Sequence, residues 1–220
     1  MEDKIIKKIF PFLLIFFILV GFFTYKNTKL KSPNFSYLPE FKLGDLIFRH
    51  GNTMDSFLIA KSSDFKYSHV GVILSLNPTK IIHSLPDDYK NKNGVIIENL
   101  DDFLENATDF GVARVKFLDK NNTLIFLNNL KLKLGSKFSL DKNGLYCTTF
   151  IVNELNKFKK MNLSYTKVNL PLLQKEYLFP KAIWNDENIE IIYENYTFKR
   201  NISYFKARFI YVLKDQLSFF

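Results

Sequence analysis

An uncharged apolar run from Ile9 to Phe23, bracketed by Lys4, Lys7 and Lys8 before it and Lys26, Lys29 and Lys31 after it, constrains this chain more than any other feature. Such a run cannot stay in water, so it spans a membrane, is removed as a signal, or is buried in a core. It is short for a spanning helix, which needs about 20 residues. Ile5, Ile6, Thr24 and Tyr25 can lengthen it, and flanking lysines can snorkel to the interface. No small-x-small cleavage pattern follows Phe22 and Phe23. An uncleaved anchor over residues 1–26 is therefore the favoured reading, ahead of a cleaved signal or a buried helix. Lysine on both flanks orients the run only weakly. A short amino-terminal segment before a larger domain usually exports that domain. The expected location is a bacterial inner membrane, with the domain in the periplasm or outside.

The chain has 220 residues, of which 47% are hydrophobic and 16% aromatic, enough for one well-buried domain behind the anchor. That composition excludes disorder over most of the length. The net charge is +9, but the lysines form no long block. A basic balance of this kind fits an anionic lipid surface better than nucleic acid, and no nucleic-acid partner is expected.

Residues 27–41, with Pro33 and Pro39, read as a tether, and the globular part is expected over 42–220. Lys42 to Phe48 reads as a turn feeding a strand, and Thr53 to Ala60 as a short helix capped by Asn52 or Thr53. His69–Leu76 and Ile81–Leu85 read as a hairpin across the Asn77-Pro78 turn. Gly94–Glu98 and Val112–Phe117 are further strands, with a short helix from Leu100 to Asn106. Thr123, Leu127, Leu130 and Leu134 recur at helical spacing before Gly135. Another helix starts at Cys147 with Ile151, Leu155 and Phe158 on its face. Ile189–Phe198 and Ala207–Leu213 read as closing strands. The class is α+β with a mainly antiparallel sheet.

Cys147 is the one cysteine, so no disulfide forms within the chain. By itself a lone cysteine is usually small apolar packing. In Gly144-Leu-Tyr-Cys-Thr-Thr-Phe-Ile-Val152, however, it stands where a helix begins. Free N–H groups and partial positive charge at that end favour a thiolate and could hold an oxyanion. Two of the three histidines, His69 and His83, fall on the paired strands, where one can accept the thiol proton and the other orient it. His50, after the first strand, reads as surface or rim. Glu98 is a reserve candidate for orienting His69, while Asp101 and Asp102 read as helix-start charges. The Cys and His spacings lack the tight pairs of zinc sites, so no metal is expected.

Gly44-Asp-Leu-Ile-Phe48, Tyr67-Ser-His-Val-Gly71, Ile81-Ile-His83 and Tyr146-Cys147, in this order, resemble the YiiX family of permuted papain-like enzymes within the NlpC-like superfamily. The matching pieces span Gly44 to about Phe158. Phe179-Pro-Lys-Ala-Ile-Trp184 resembles a later segment of that branch. The usual superfamily order puts Cys before His, and here His69 precedes Cys147. The resemblance implies a circularly permuted papain-like fold, Cys147 as nucleophile, His69 as base and His83 at the third position. YiiX relatives often carry a carboxylate there, whereas lecithin:retinol acyltransferase-like enzymes carry histidine. Tyr146 is implied as a substrate-binding or oxyanion-site residue, and Gly44 and Asp45 as a structural turn. The expected activity is a cofactor-free thiol hydrolase or acyltransferase on an amide or ester of a cell-wall peptide, small molecule or lipid. A membrane-tethered binding module that has lost turnover is the alternative.

Overall fold

The structure, a computed structural model, describes residues 37–86, 93–105, 107–141, 144–170 and 173–194. The Ile9–Phe23 run, the strand expected at Ala207–Leu213 and the end of the one expected from Ile189 lie outside these residues. Among those described, no helix is long and apolar enough to cross a membrane.

Six strands form one antiparallel sheet: β1 (Leu46–Gly51), β2 (His69–Leu76), β3 (Thr79–Leu85), β4 (Gly94–Asn99), β5 (Ala107–Val115) and β8 (Ile189–Glu194), in the order β4-β3-β2-β1-β5-β8. β1 is central because its side chains are apolar on both faces, as a strand covered from both sides must be. Leu46 and Phe48 enter one core cluster and Ile47 the other, and the partner residues on β5 divide in the same way. A separate hairpin pairs β6 (Thr166–Leu170) with β7 (Leu173–Tyr177). The helices are α1 (Met54–Ser63), α2 (Leu100–Leu104), α3 (Lys120–Lys131), α4 (Cys147–Leu155) and α5 (Pro180–Trp184). The α+β class with an antiparallel sheet is as expected.

Local chemistry explains most boundaries. Thr53 caps α1 by accepting from the Ser56 N–H at 3.3 Å, and Asp119 caps α3 by accepting from the Asn122 N–H at 2.7 Å. Gly44 takes φ 81° in the turn before β1, a conformation open to glycine. Beside it, buried Asp45 accepts from the Lys42 N–H at 2.7 Å and from Arg114 Nε and Nη2 at 2.7 and 2.8 Å. The turn expected there is thus clamped to β5 by a bidentate ion pair.

Several boundaries differ from expectation. β5 starts at Ala107, five residues before Val112, because pairing with β1 carries it through Asp109 and Gly111. α3 stops at Lys131, so Leu134 is 45% exposed and Phe126 takes the expected place of Thr123 in the core. Gly135, at φ 76°, donates its N–H to Val95 O rather than ending the helix. The end of the expected tether also packs down: Pro39 is buried, and the Tyr37 ring lies 5.7 Å from that of Tyr193.

Candidate active site

Cys147 opens α4, and the turn ahead of it is held from three sides. The Tyr146 N–H donates to Thr149 Oγ1 at 3.0 Å, and that hydroxyl donates to Gly144 O at 2.8 Å. Ser84 Oγ on β3 donates to Leu145 O at 2.9 Å. The Tyr146 hydroxyl accepts the Leu178 N–H at 2.9 Å. The helix start is thereby pinned to the sheet and to the segment entering α5. Burial pushes the Tyr146 phenol up to about 12, against the opposing pull of the Leu178 bond. The hydroxyl accepts in that bond and keeps its own O–H to donate.

The Cys147 sulfur sits 3.7 Å from Thr148 Oγ1 and takes a backbone hydrogen bond from Val70, the residue after His69. The β2–β3 register runs from Leu76↔Thr79 to Val72↔Ile82. Val70 lies beyond it, at the end of β2 where the sulfur docks. The thiol is buried, and burial pushes its pKa above the ordinary value. Thr148, the Val70 bond and the Arg49 charge pull the other way and are outweighed. Against the thiolate expected at a helix start, the balance of these effects favours the thiol, because desolvation is the largest of them.

His69 and His83 come together as expected. His69 Nε2 lies 2.8 Å from His83 Nδ1, with the rings edge to face at 84°. Contact at this distance is an N–H···N hydrogen bond, so one nitrogen carries the proton and the other accepts. It leaves His69 Nδ1 for another partner. Burial, then Arg49, then His83, hold the His69 imidazole well below the usual 6.5, so it is neutral at neutral pH.

Three neighbours complete the site. Glu98 Oε1 is 3.0 Å from His83 Nε2, so Glu98 lies against the second histidine and not against His69 as expected. Register explains this: Glu98 faces Ile81 across β3–β4, on the side of the sheet that His83 shares. The Phe103 ring of α2 contacts both imidazoles, with centroids 5.8 Å from His69 and 5.1 Å from His83. Arg49 stacks its guanidinium 4.5 Å over that ring and donates to the Phe103 carbonyl. Burial lowers the Arg49 pKa, with Glu98 and Cys147 opposing. Arg49 and Phe103 were missed from the sequence. The only signal for Arg49 was its register opposite His69, which needs the β1–β2 pairing to be known.

Cys147 belongs to one core cluster and Phe103 to the other. The nucleophile candidate and the imidazole pair thus come from opposite sides of the sheet, and the sulfur reaches the backbone of Val70, next to His69 at the start of β2. Outside Glu98, a cleft of about 210 Å³ is lined by Lys80, Ile97, Asn99 and Asp102. A larger one, about 300 Å³, lies at the other end of β1 beside Gly44, Arg114 and Thr123, away from this chemistry.

His50 is not at the rim. It is 5% exposed and stands across from Asp109 in the β1–β5 register, on a strand that α1 covers.

No family model matches the chain, and no curated protein matches it. Its fold is similar to that of the metalloprotein YiiX from Escherichia coli O157:H7, with a TM-score of 0.58 over 72% of this chain and 99% of that one, at 16% identity. The fold is therefore YiiX-like. The facing nitrogens of His69 and His83 do not suit a shared metal, since at 2.8 Å apart they leave no space for an ion between them. Among the described residues no group of three or more His, Cys, Asp or Glu is placed to hold one.

Proposed function

We propose that the chain is a cysteine-dependent hydrolase or acyltransferase of permuted papain-like architecture, acting on an amide or ester through a thioester on Cys147. The observation that carries this reading is the hydrogen-bonded His69–His83 pair together with a helix-start cysteine whose sulfur takes a hydrogen bond from the backbone of Val70, the residue after His69. In this reading His69 Nδ1 takes the thiol proton as the sulfur attacks the carbonyl carbon. The oxyanion is held by N–H groups at the start of α4. Water or an amine then releases the acyl group, with His69 returning the proton. Because both groups rest neutral, proton transfer accompanies attack rather than preceding it. No cofactor is called for.

The substrates proposed are cell-wall peptides or lipids, presented to a domain tethered by the Ile9–Phe23 anchor at the outer side of a bacterial inner membrane. The raised Cys147 thiol favours a second reading, a tethered binding module of the same fold without turnover. One experiment separates them. The full chain is incubated with p-nitrophenyl esters, phospholipid vesicles and peptidoglycan fragments, and the Cys147 peptide is then weighed after acid quench. An acyl increment and product release are expected, with Cys147→Ala slower by at least about 10³-fold. Full activity in Cys147→Ala would end the enzymatic proposal, and no acylation with any donor would favour the binding module.

A further inference from the structure

Arg49 and Glu98 flank the imidazole pair with opposite charges, Arg49 directly opposite His69 in the β1–β2 register and Glu98 at 3.0 Å from His83. We infer that this polarity sends the proton taken from Cys147 through His69, so that the positive charge of the reaction is held on His83 against Glu98. The inference rests on the thiol reading above.

The proton path follows from the contacts of the two imidazoles. With Glu98 ionised, its carboxylate oxygen 3.0 Å from His83 Nε2 favours a proton on that nitrogen, and His83 Nδ1 then accepts from His69 Nε2–H. His69 Nδ1 is then the basic nitrogen available to the thiol. As the C–S bond forms, the S–H bond breaks and a new N–H forms on His69 Nδ1. The His69 Nε2–H breaks in turn, and its proton joins His83 Nδ1. His69 ends neutral in its other tautomer, and His83 ends as a cation paired with Glu98. Departure of the leaving group reverses both shifts, and the leaving atom receives the proton.

Leaving the charge on His69 would set it beside the Arg49 cation within a buried site, where like charges repel strongly. On His83 it faces a carboxylate. Among the described residues, the charged and titratable groups around the pair are Arg49 from β1, Cys147 from α4 and Glu98 from β4, with Lys80 and Asp102 lining the cleft outside Glu98. Glu98 and Arg49 are thus positioning residues that act through the histidines.

The test uses the full chain in detergent micelles, labelled with ¹⁵N-histidine and followed by long-range ¹H–¹⁵N correlation across pH. The expected result is Nε2–H on both residues at neutral pH, and His83 doubly protonated before His69 as pH falls. Glu98→Gln should lower the His83 midpoint and slow alkylation of Cys147 by iodoacetamide about 10-fold, the equivalent of one pK unit. Glu98→Asp should restore most of that rate. Should Glu98→Gln fail to fold, Arg49→Met serves, and it should bring the two midpoints together. Protonation of His69 first, or an order and rate indifferent to both variants, would overturn the inference. The order of protonation is read without substrate. Absence of acylation at Cys147 would therefore defeat the proposed reaction and leave the charge placement standing.

Discussion

Asp109 is 2% exposed, and its Oδ1 is buried without a hydrogen bond. Burial raises its pKa from 3.8 to about 6, with Lys66 opposing. Between those two values the folded chain keeps a proton that the unfolded chain has released. Stability therefore falls as pH rises through that window. His69 acts in the opposite sense, because its folded pKa is depressed: its contribution is present above 6.5 and is lost as pH falls. Asp109→Asn removes only the first slope. The variant should melt higher than the parent at pH 7 and show little gain at pH 4, measured by calorimetry. Equal gains at both pH values would refute this account. None of it was legible in the sequence, since Asp109 is one carboxylate among many until β5 places it under cover. Cys147 and His69 were legible because a helix-start pattern and a strand pattern each mark them locally.

The β2–β3 hairpin is where local sequence sufficed. Its two apolar runs and the Asn77-Pro78 turn between them place His69 and His83 on adjacent strands, and the structure joins them. Gly71 shows packing that the apolar runs cannot reveal. A Cβ there would lie 2.5 Å from Ile81 Cγ2 and 3.2 Å from both His83 Cβ and Phe103 Cε2. Gly71→Ala must therefore push β3 and α2 away from β2, at a cost of about 1–3 kcal/mol for overpacking. Chemical denaturation should show that loss, together with slower alkylation of Cys147. A wild-type midpoint would mean the hairpin yields without strain. The β6–β7 hairpin and α5 were not foreseen. Thr166–Leu170 and Leu173–Tyr177 mix lysine, asparagine and glutamate into strands too short to show a period. α5 has one turn of apolar residues after Pro180, where proline fits a first helical position but announces little else.

At the scale of the whole molecule, a six-stranded sheet carries apolar clusters on both faces, and the Asp45–Arg114 pair fastens its β1 and β5 strands at the end away from the histidines. Asp45→Ala would leave Arg114 facing a buried gap, and breaking such a pair should cost about 3 kcal/mol. A change below about 0.5 kcal/mol in the unfolding free energy would show that water replaces the carboxylate without loss. The tethered-domain proposal concerns the full chain, whose +9 charge could also hold it to anionic lipid. It should remain in the membrane pellet through a molar salt wash and leave it only with detergent. Release by salt would point to electrostatic attachment instead. The order of the parts along the chain has a consequence for biosynthesis. The imidazole pair belongs to a single hairpin, a contact that forms in about 1–10 μs once its residues are free. The cysteine is translated long after that hairpin. A nascent or prematurely ended chain can thus carry the imidazole pair without Cys147, and the proposed chemistry has to wait until synthesis has delivered the helix that starts there.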